Sequence, residues 1–91
     1  MTHRFTATIL QNGDMDAAYI VVPVDIRAVY CKGRLKVEAT FDNEPYSGSV
    51  VNMGVKNPDG SICYIIGLPK AIRQKIGKTF GDSVAVTLTP R

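Results

Sequence analysis

Apolar and polar residues alternate along several short segments of the chain. The segments are residues 4–10, 35–41 and 84–88. A period of two predicts a strand with one buried and one exposed face. Two further segments, 17–23 and 62–66, are continuous apolar runs rich in β-branched residues, which predicts strands buried on both faces. With residues 46–51, which follow the turn "DNEP", the pattern predicts six strands.

Two short helices are predicted, each beginning at a proline that ends an apolar run. The first begins at Pro23 and is expected to end at Gly33, which can adopt the left-handed conformation of a helix terminus. The second begins at Pro69 and ends at Gly77. The stretch 52–61 contains Pro-Asp-Gly and is predicted to be the longest irregular segment.

The segments 19–41 and 64–88 repeat one order of features. In each, a Tyr-Ile strand leads to the pattern P-x-x-I-R, then to a glycine turn and an alternating strand. The matched residues are Pro23, Ile26 and Arg27 with Pro69, Ile72 and Arg73. The repeat predicts a pseudo-twofold axis. An open sheet of six short strands would leave two edge strands unpaired, and closing the sheet into a small barrel removes them. The two helices would then cover the open ends of the barrel. The sequence therefore predicts one all-β barrel domain over residues 1–91.

Length and composition agree with one small domain. The chain has 91 residues, of which 45% are hydrophobic and 21% charged. It contains no apolar run long enough for a membrane span, and its N-terminal residues lack the pattern of a signal peptide, so we expect a soluble cytoplasmic protein. Cys31 and Cys63 form no C-x-x-C motif and are predicted to be buried thiols, although their spacing leaves a disulfide open.

The sequence offers no set of residues for catalysis. The single histidine, His3, is expected at a frayed terminus, and no serine lies in a motif that would activate a nucleophile. Gly77, Lys78 and Thr79 spell part of a phosphate-binding loop, but the upstream glycine that such a loop needs is missing. We therefore predict no enzymatic activity, no cofactor and no metal site.

The net charge of +3 suits weak attraction to phosphate. Arg27 and Arg73 occupy matching positions in the repeat. They could present two guanidinium groups to phosphates, or they could bond strand-end carbonyls or a carboxylate such as Asp82. Other cations follow or lie on the two helices, where they form a basic rim or, more commonly, a solvated face. The candidate binding residues are Arg27, Arg73, Lys32, Arg34, Lys70 and Lys78.

The segment "LPKAIRQKIGKTFGDSVAV" resembles the repeated unit of AbrB-like transition regulators and antitoxin DNA-binding domains. The resemblance covers residues 64–86, with a weaker echo at 19–41. In those proteins two chains interleave into a double-split β-barrel, and basic residues near the start of each unit reach DNA. The matching stretches here, "DAAYIVVP" and "SICYIIGLP", contain no basic residue.

Over residues 5–89 the chain resembles a family of uncharacterised bacterial and archaeal domains that carry both units in one polypeptide. This resemblance implies a double-split β-barrel and no established activity. We expect a non-catalytic binding domain whose helix rims and residues 52–60 contact a protein or a small ligand. The alternative is a DNA-binding domain. Because one chain holds both units, a monomer is expected first and a weak homodimer second.

Overall fold

The computed structural model describes residues 2–91, the side chain of Val55 excepted, as a curled antiparallel sheet with two short helices. The strands are β1 (His3–Thr8), β2 (Leu10–Gln11), β3 (Ala18–Val22), β4 (Arg34–Phe41), β5 (Glu44–Lys56), β6 (Ile62–Leu68) and β7 (Ser83–Pro90). The helices are α1 (Ile26–Tyr30) and α2 (Lys70–Ile76). The strand order is β1-β7-β4-β5-β6-β3-β2. The prediction of a mainly β chain with two short helices is confirmed.

The first predicted strand is divided in two at Ile9, so the sheet has seven strands and the prediction of six is wrong. Strand β1 pairs with β7, whereas β2 pairs with β3 at the other end of the strand order. Ile9 is fully buried between them. Its N–H donates to the carbonyl of Asp82 at 2.9 Å, and its carbonyl accepts from Gly81 N–H at 2.8 Å. The sheet therefore curls until its two edge strands are joined through one residue.

The prediction of an irregular segment over 52–61 is wrong for residues 52–56, whereas the turn predicted at Pro-Asp-Gly is confirmed. Strand β5 continues to Lys56, which pairs with Ile62 after a shift of register. The shift is a β-bulge in which Gly54 has a φ of +86° and donates its N–H to the side chain of Asn52 at 2.7 Å. A tight turn over 57–61 then joins β5 to β6. Asn52 and Gly54 are residue types that are typical of loops, but in the structure they form a bulge that bends strand β5.

The two helices match the repeat in order but not in their boundaries. Helix α1 is capped by Asp25, whose Oδ1 accepts two backbone N–H groups at 3.1 Å, so it begins after the predicted Pro23. It ends at Cys31, with a φ of 57°, and not at Gly33. Helix α2 follows Pro69 and ends at the left-handed Gly77, as predicted. Neither helix of the described residues is long and apolar enough to cross a membrane.

The core fills the concave side of the sheet, and each helix contributes one buried isoleucine to it. These are Ile26 from α1 and Ile72 from α2. Helix α1 follows β3 and α2 follows β6, and these two strands are antiparallel neighbours. The helices therefore lie at opposite ends of that strand pair. Cys63 is buried, but Cys31 is exposed and both thiols are free, so the prediction of two buried cysteines is wrong for Cys31.

Candidate functional site

Three of the six candidate binding residues meet beside helix α2. Lys70 and Arg73 lie on the helix, and Lys78 follows it in the turn towards β7. Together with polar side chains they line an open groove of about 350 Å³. The complete lining is Asp16, Lys70, Arg73, Gln74, Gly77, Lys78 and Thr79. The groove therefore combines three cations, one carboxylate and two neutral polar side chains.

Arg73 has the most restricted side chain of this groove, because it is buried, packs against an aromatic ring and forms hydrogen bonds. The residue is 6% exposed, and its guanidinium carbon lies 5.0 Å from the centre of the Phe80 ring. Both terminal nitrogens donate to Asp16 Oδ1 at 3.2 Å, and Nη2 also approaches the Asp16 carbonyl at 3.4 Å. The Nε atom is buried without a hydrogen-bond partner. The sequence suggested Asp82 as a partner, but Asp82 instead accepts from Thr79 N–H at 2.9 Å.

Asp16 is the shared counter-ion of two cations. Its Oδ2 lies 3.0 Å from Lys70 Nζ, while Oδ1 binds Arg73. The hydrogen bonds from Lys70, and then those from Arg73, hold the pKa of Asp16 below its ordinary value. The side chain is nevertheless 56% exposed, because it belongs to the surface turn between β2 and β3. One accessible carboxylate thus faces two positive charges.

The remaining cations near α2 also have carboxylate partners. Lys78 pairs with Asp42 and donates to the carbonyl of Ser83 at 2.6 Å. The hydrogen bond from Lys78, followed by one from the backbone of Ala85, lowers the pKa of Asp42. Lys75 lies 3.2 Å from Glu44. The α2 end of the molecule is therefore largely neutralised by its own acidic residues.

The other three candidate residues lie at the α1 end, where they take part in none of the ion pairs of the described residues. Arg27, Lys32 and Arg34 are exposed, and Lys36 is exposed on the same strand as Arg34. Within residues 2–91, none of these four cations has a carboxylate at ion-pair distance. Because α1 and α2 lie at opposite ends of the β3–β6 pair, Arg27 and Arg73 are not brought together. Their matching positions in the repeat do not form one paired site.

His3 is not frayed, contrary to expectation. It is the first residue of β1, it is half-buried, and its Nε2 lies 2.6 Å from the hydroxyl of Tyr30 at the end of α1. The two rings meet edge to face at a centroid distance of 6.0 Å. The described part of the chain has no group of three or more His, Cys, Asp or Glu residues that could hold a metal ion.

The charged residue of this groove that the sequence did not indicate as part of the candidate site is Asp16. It stands in the turn "QNGDMD", where an aspartate is typical of turn chemistry. Its partner Arg73 lies in the second half of the chain, so no local pattern connects the two. Only the return of β6 alongside β3 brings the turn that precedes β3 to the helix that follows β6.

The chain matches a model of a known protein family. Residues 5–88 match the family model described as "Domain of unknown function (DUF1905)". This match agrees with the resemblance to a family of uncharacterised domains over nearly the whole chain. No curated protein matches the sequence.

Proposed function

The chain belongs to the DUF1905 family of domains of unknown function, and we propose that it is a non-catalytic domain that binds a small anion beside α2. The observation that supports this proposal is the position of Arg73. Its side chain is 7% exposed and is fixed against Phe80, and its terminal nitrogens are directed at a carboxylate in an open groove. A guanidinium held in this way is preorganised to bind a carboxylate or a phosphate.

The other groove residues fit the same ligand class. Lys70 adds a second positive charge next to Arg73, while Gln74 and Thr79 supply neutral polar groups. Asp16 balances only one of the two cations that it contacts. The groove volume of about 350 Å³ is sufficient for an anion of a few heavy atoms. We expect a small carboxylate or phosphate compound to bind there.

Titration of the isotopically labelled protein with inorganic phosphate and with succinate tests this function. Saturable shifts are expected in the backbone amide signals of residues 70–79. Lys70→Ala should weaken binding by about tenfold, because it removes a charge-assisted hydrogen bond to the anion. Lys56→Ala is the matched control, since it removes one lysine charge outside the groove lining. Absence of saturable shifts with either anion would contradict the proposal.

Nucleic-acid binding is a second candidate function, and the unpaired cations at the α1 end favour it. Arg27, Lys32, Arg34 and Lys36 can contact phosphates without first breaking an ion pair of the kinds seen at α2. The resemblance of residues 64–86 to AbrB-like domains supports the same candidate. Any DNA contact would then use the α1 end, because the cations of the more similar α2 unit have acidic partners.

Titration of labelled duplex DNA of mixed sequence at low and near-physiological salt tests this second function. Binding through phosphates should weaken steeply as salt rises, because counterions are released. The double variant Arg27→Ala/Arg34→Ala should abolish binding. The variant Lys70→Ala/Lys78→Ala removes the same number of charges at the other end and should retain it. Failure to bind even at low salt excludes this function.

We also propose that the curled sheet is a double-split β-barrel formed by a monomer in the cytoplasm. The two P-x-x-I-R units and the meeting of both sheet edges at Ile9 support closure within one chain. The free, exposed Cys31 suits a reducing compartment. Light scattering after gel filtration should give a mass of 9.9 kDa at all concentrations. A mass that increases with concentration would instead indicate the weak homodimer.

A further inference from the structure

The α2 groove already contains an anion, and that anion belongs to the chain itself. We propose that Asp16 is a built-in competitor, whose carboxylate occupies the cation pair Arg73 and Lys70 until the carboxylate or phosphate of a ligand displaces it. This inference rests on the proposed function, because it concerns the regulation of the same groove.

The contacts of Asp16 leave the guanidinium with an incomplete set of partners. Both terminal nitrogens of Arg73 converge on Oδ1 at 3.2 Å, whereas Oδ2 is held by Lys70. An arginine binds a carboxylate or phosphate best when two nitrogens donate to two separate oxygens. A free anion with two or more oxygens can adopt that arrangement, because the main chain does not restrain it. The arrangement of two nitrogens on two oxygens is therefore not made by Asp16 and remains open to a ligand.

The two partners differ in their freedom to move. The Arg73 side chain is 7% exposed and the Asp16 side chain is 56% exposed, so the cation is fixed in the fold and the carboxylate lies on a surface turn. That turn is closed by hydrogen bonds from Asn12 N–H to the Ala17 carbonyl and from Gln11 to the Met15 carbonyl. Neither bond uses the Asp16 side chain. Its carboxylate can rotate into solvent while the turn remains closed.

In the molecules in which Asp16 occupies the two cations, a ligand cannot bind them. The apparent affinity for the ligand therefore falls in proportion to the fraction of molecules in which the cations are free. The Asp16 carboxylate is more than half exposed, so solvent screens its ion pairs and a dissolved anion can compete with it for the two cations. Removal of the carboxylate should therefore increase ligand affinity, although it removes a group from the site. This result is the opposite of that expected if Asp16 were a direct ligand-binding residue.

The first experiment compares Asp16→Asn with wild type in titrations with inorganic phosphate and with succinate. Asp16→Asn keeps the shape of the side chain, and we expect it to bind either anion about tenfold more tightly. Asp14→Asn is the matched control, because it removes one negative charge from the same turn without changing the contacts of Arg73. It should bind like wild type. Equal affinity of wild type and Asp16→Asn would overturn the competitor and leave the proposed function intact.

A second measurement decides the matter if Asp16→Asn does not fold. In wild type, displacement predicts that phosphate and succinate shift the amide signals of residues 15–17 as well as those of residues 70–79. Shifts confined to residues 70–79 would show that the anion binds without moving Asp16, which overturns the competitor alone. Absence of shifts in both regions would refute the proposed function together with this inference.

Discussion

Arg27 and Arg73 hold the same position in the sequence repeat, but their surroundings are different. Helix α2 begins directly after Pro69, so Arg73 is its fourth residue and is turned towards the core and Asp16. Helix α1 begins three residues after Pro23, so Arg27 is its second residue and remains exposed. The same repeat position therefore holds a solvated arginine in α1 and, in α2, an arginine buried against Phe80 and Asp16.

Cys31 and Gly77 occupy the same left-handed position at the ends of α1 and α2, with φ values of 57° and 69°. A side chain in this conformation costs roughly 1 kcal/mol relative to glycine. Cys31→Gly should therefore raise the free energy of unfolding by up to about 1 kcal/mol, whereas Gly77→Ala should lower it by about the same amount. Urea denaturation of both variants checks this prediction. Destabilisation by Cys31→Gly would contradict it.

Asp42 couples the stability of the β4–β5 turn to pH. Its folded-state pKa is lowered by Lys78 and by Ala85 N–H, so the unfolded chain binds more protons under acidic conditions. The stabilisation is complete above the ordinary pKa of 3.8 and is lost as pH falls through the lower folded value. Asp42→Asn should therefore reduce stability at neutral pH and converge with wild type at strongly acidic pH.

Thermal unfolding followed from pH 7 to pH 2 measures this convergence. Asp14→Asn is the control for the loss of one negative charge, and its difference from wild type should be small at neutral pH. A difference between Asp42→Asn and wild type that stays constant down to the lowest pH would show that the ion pair with Lys78 adds no pH-dependent stability.

At the scale of elements, alternation and turn chemistry in the sequence predicted most of the strands correctly. The turn between β4 and β5 consists of Asp42 and Asn43, which both have positive φ, as a two-residue hairpin of this kind requires. The errors arise where tertiary pairing decides. Nothing local in the alternating segment 4–10 indicates a change of partner strand at Ile9. The sequence around Gly54 is typical of a loop, and only the pairing of Lys56 with Ile62 of β6 shows that the strand continues past the bulge.

The same limit applies to the candidate site. The sequence identified Lys70, Arg73 and Lys78 because they lie within one short segment and within one repeat unit. It could not identify Asp16 as their counter-ion, because the contact depends on the pairing of β3 with β6. It could not separate Arg27 from Arg73 either, because their distance depends on the antiparallel direction of those two strands.

Gly81 forms the link between the turn before β7 and the closing residue Ile9. Its φ is +90°, and its N–H donates to the Ile9 carbonyl. Gly81→Val places a β-branched side chain in this conformation and should reduce the free energy of unfolding by about 1–3 kcal/mol. Gly33→Val is the matched control, because Gly33 has open space around it and no positive φ. Equal melting temperatures for the two variants would contradict the assigned role of Gly81.

At the scale of the whole molecule, the two ends differ in the state of their charges although the repeat gives them similar composition. Carboxylates from two separate parts of the chain neutralise cations at the α2 end: Asp16 from the turn between β2 and β3, and Asp42 and Glu44 from the connection between β4 and β5. The cations around α1 lack such partners within the described residues. The two ends therefore differ in the cations that they can offer to a ligand: under the two proposed functions, a long polyanion would contact α1 and a small anion would contact the α2 groove.

The meeting of both sheet edges at Ile9 also has a consequence for folding kinetics. Strand β1 pairs His3 with Leu88, so this ladder joins residues from nearly opposite ends of the sequence and requires a large loop-closure entropy. We expect the ladder to form after the folding transition state. Ala7→Gly in β1 should then accelerate unfolding and leave the refolding rate nearly unchanged in stopped-flow experiments. Slower refolding of this variant would show that the β1–β7 ladder forms before the folding transition state. If refolding is unchanged, the segment at residues 3–11 is the last to pair during folding, and its detachment sets the lifetime of the native state.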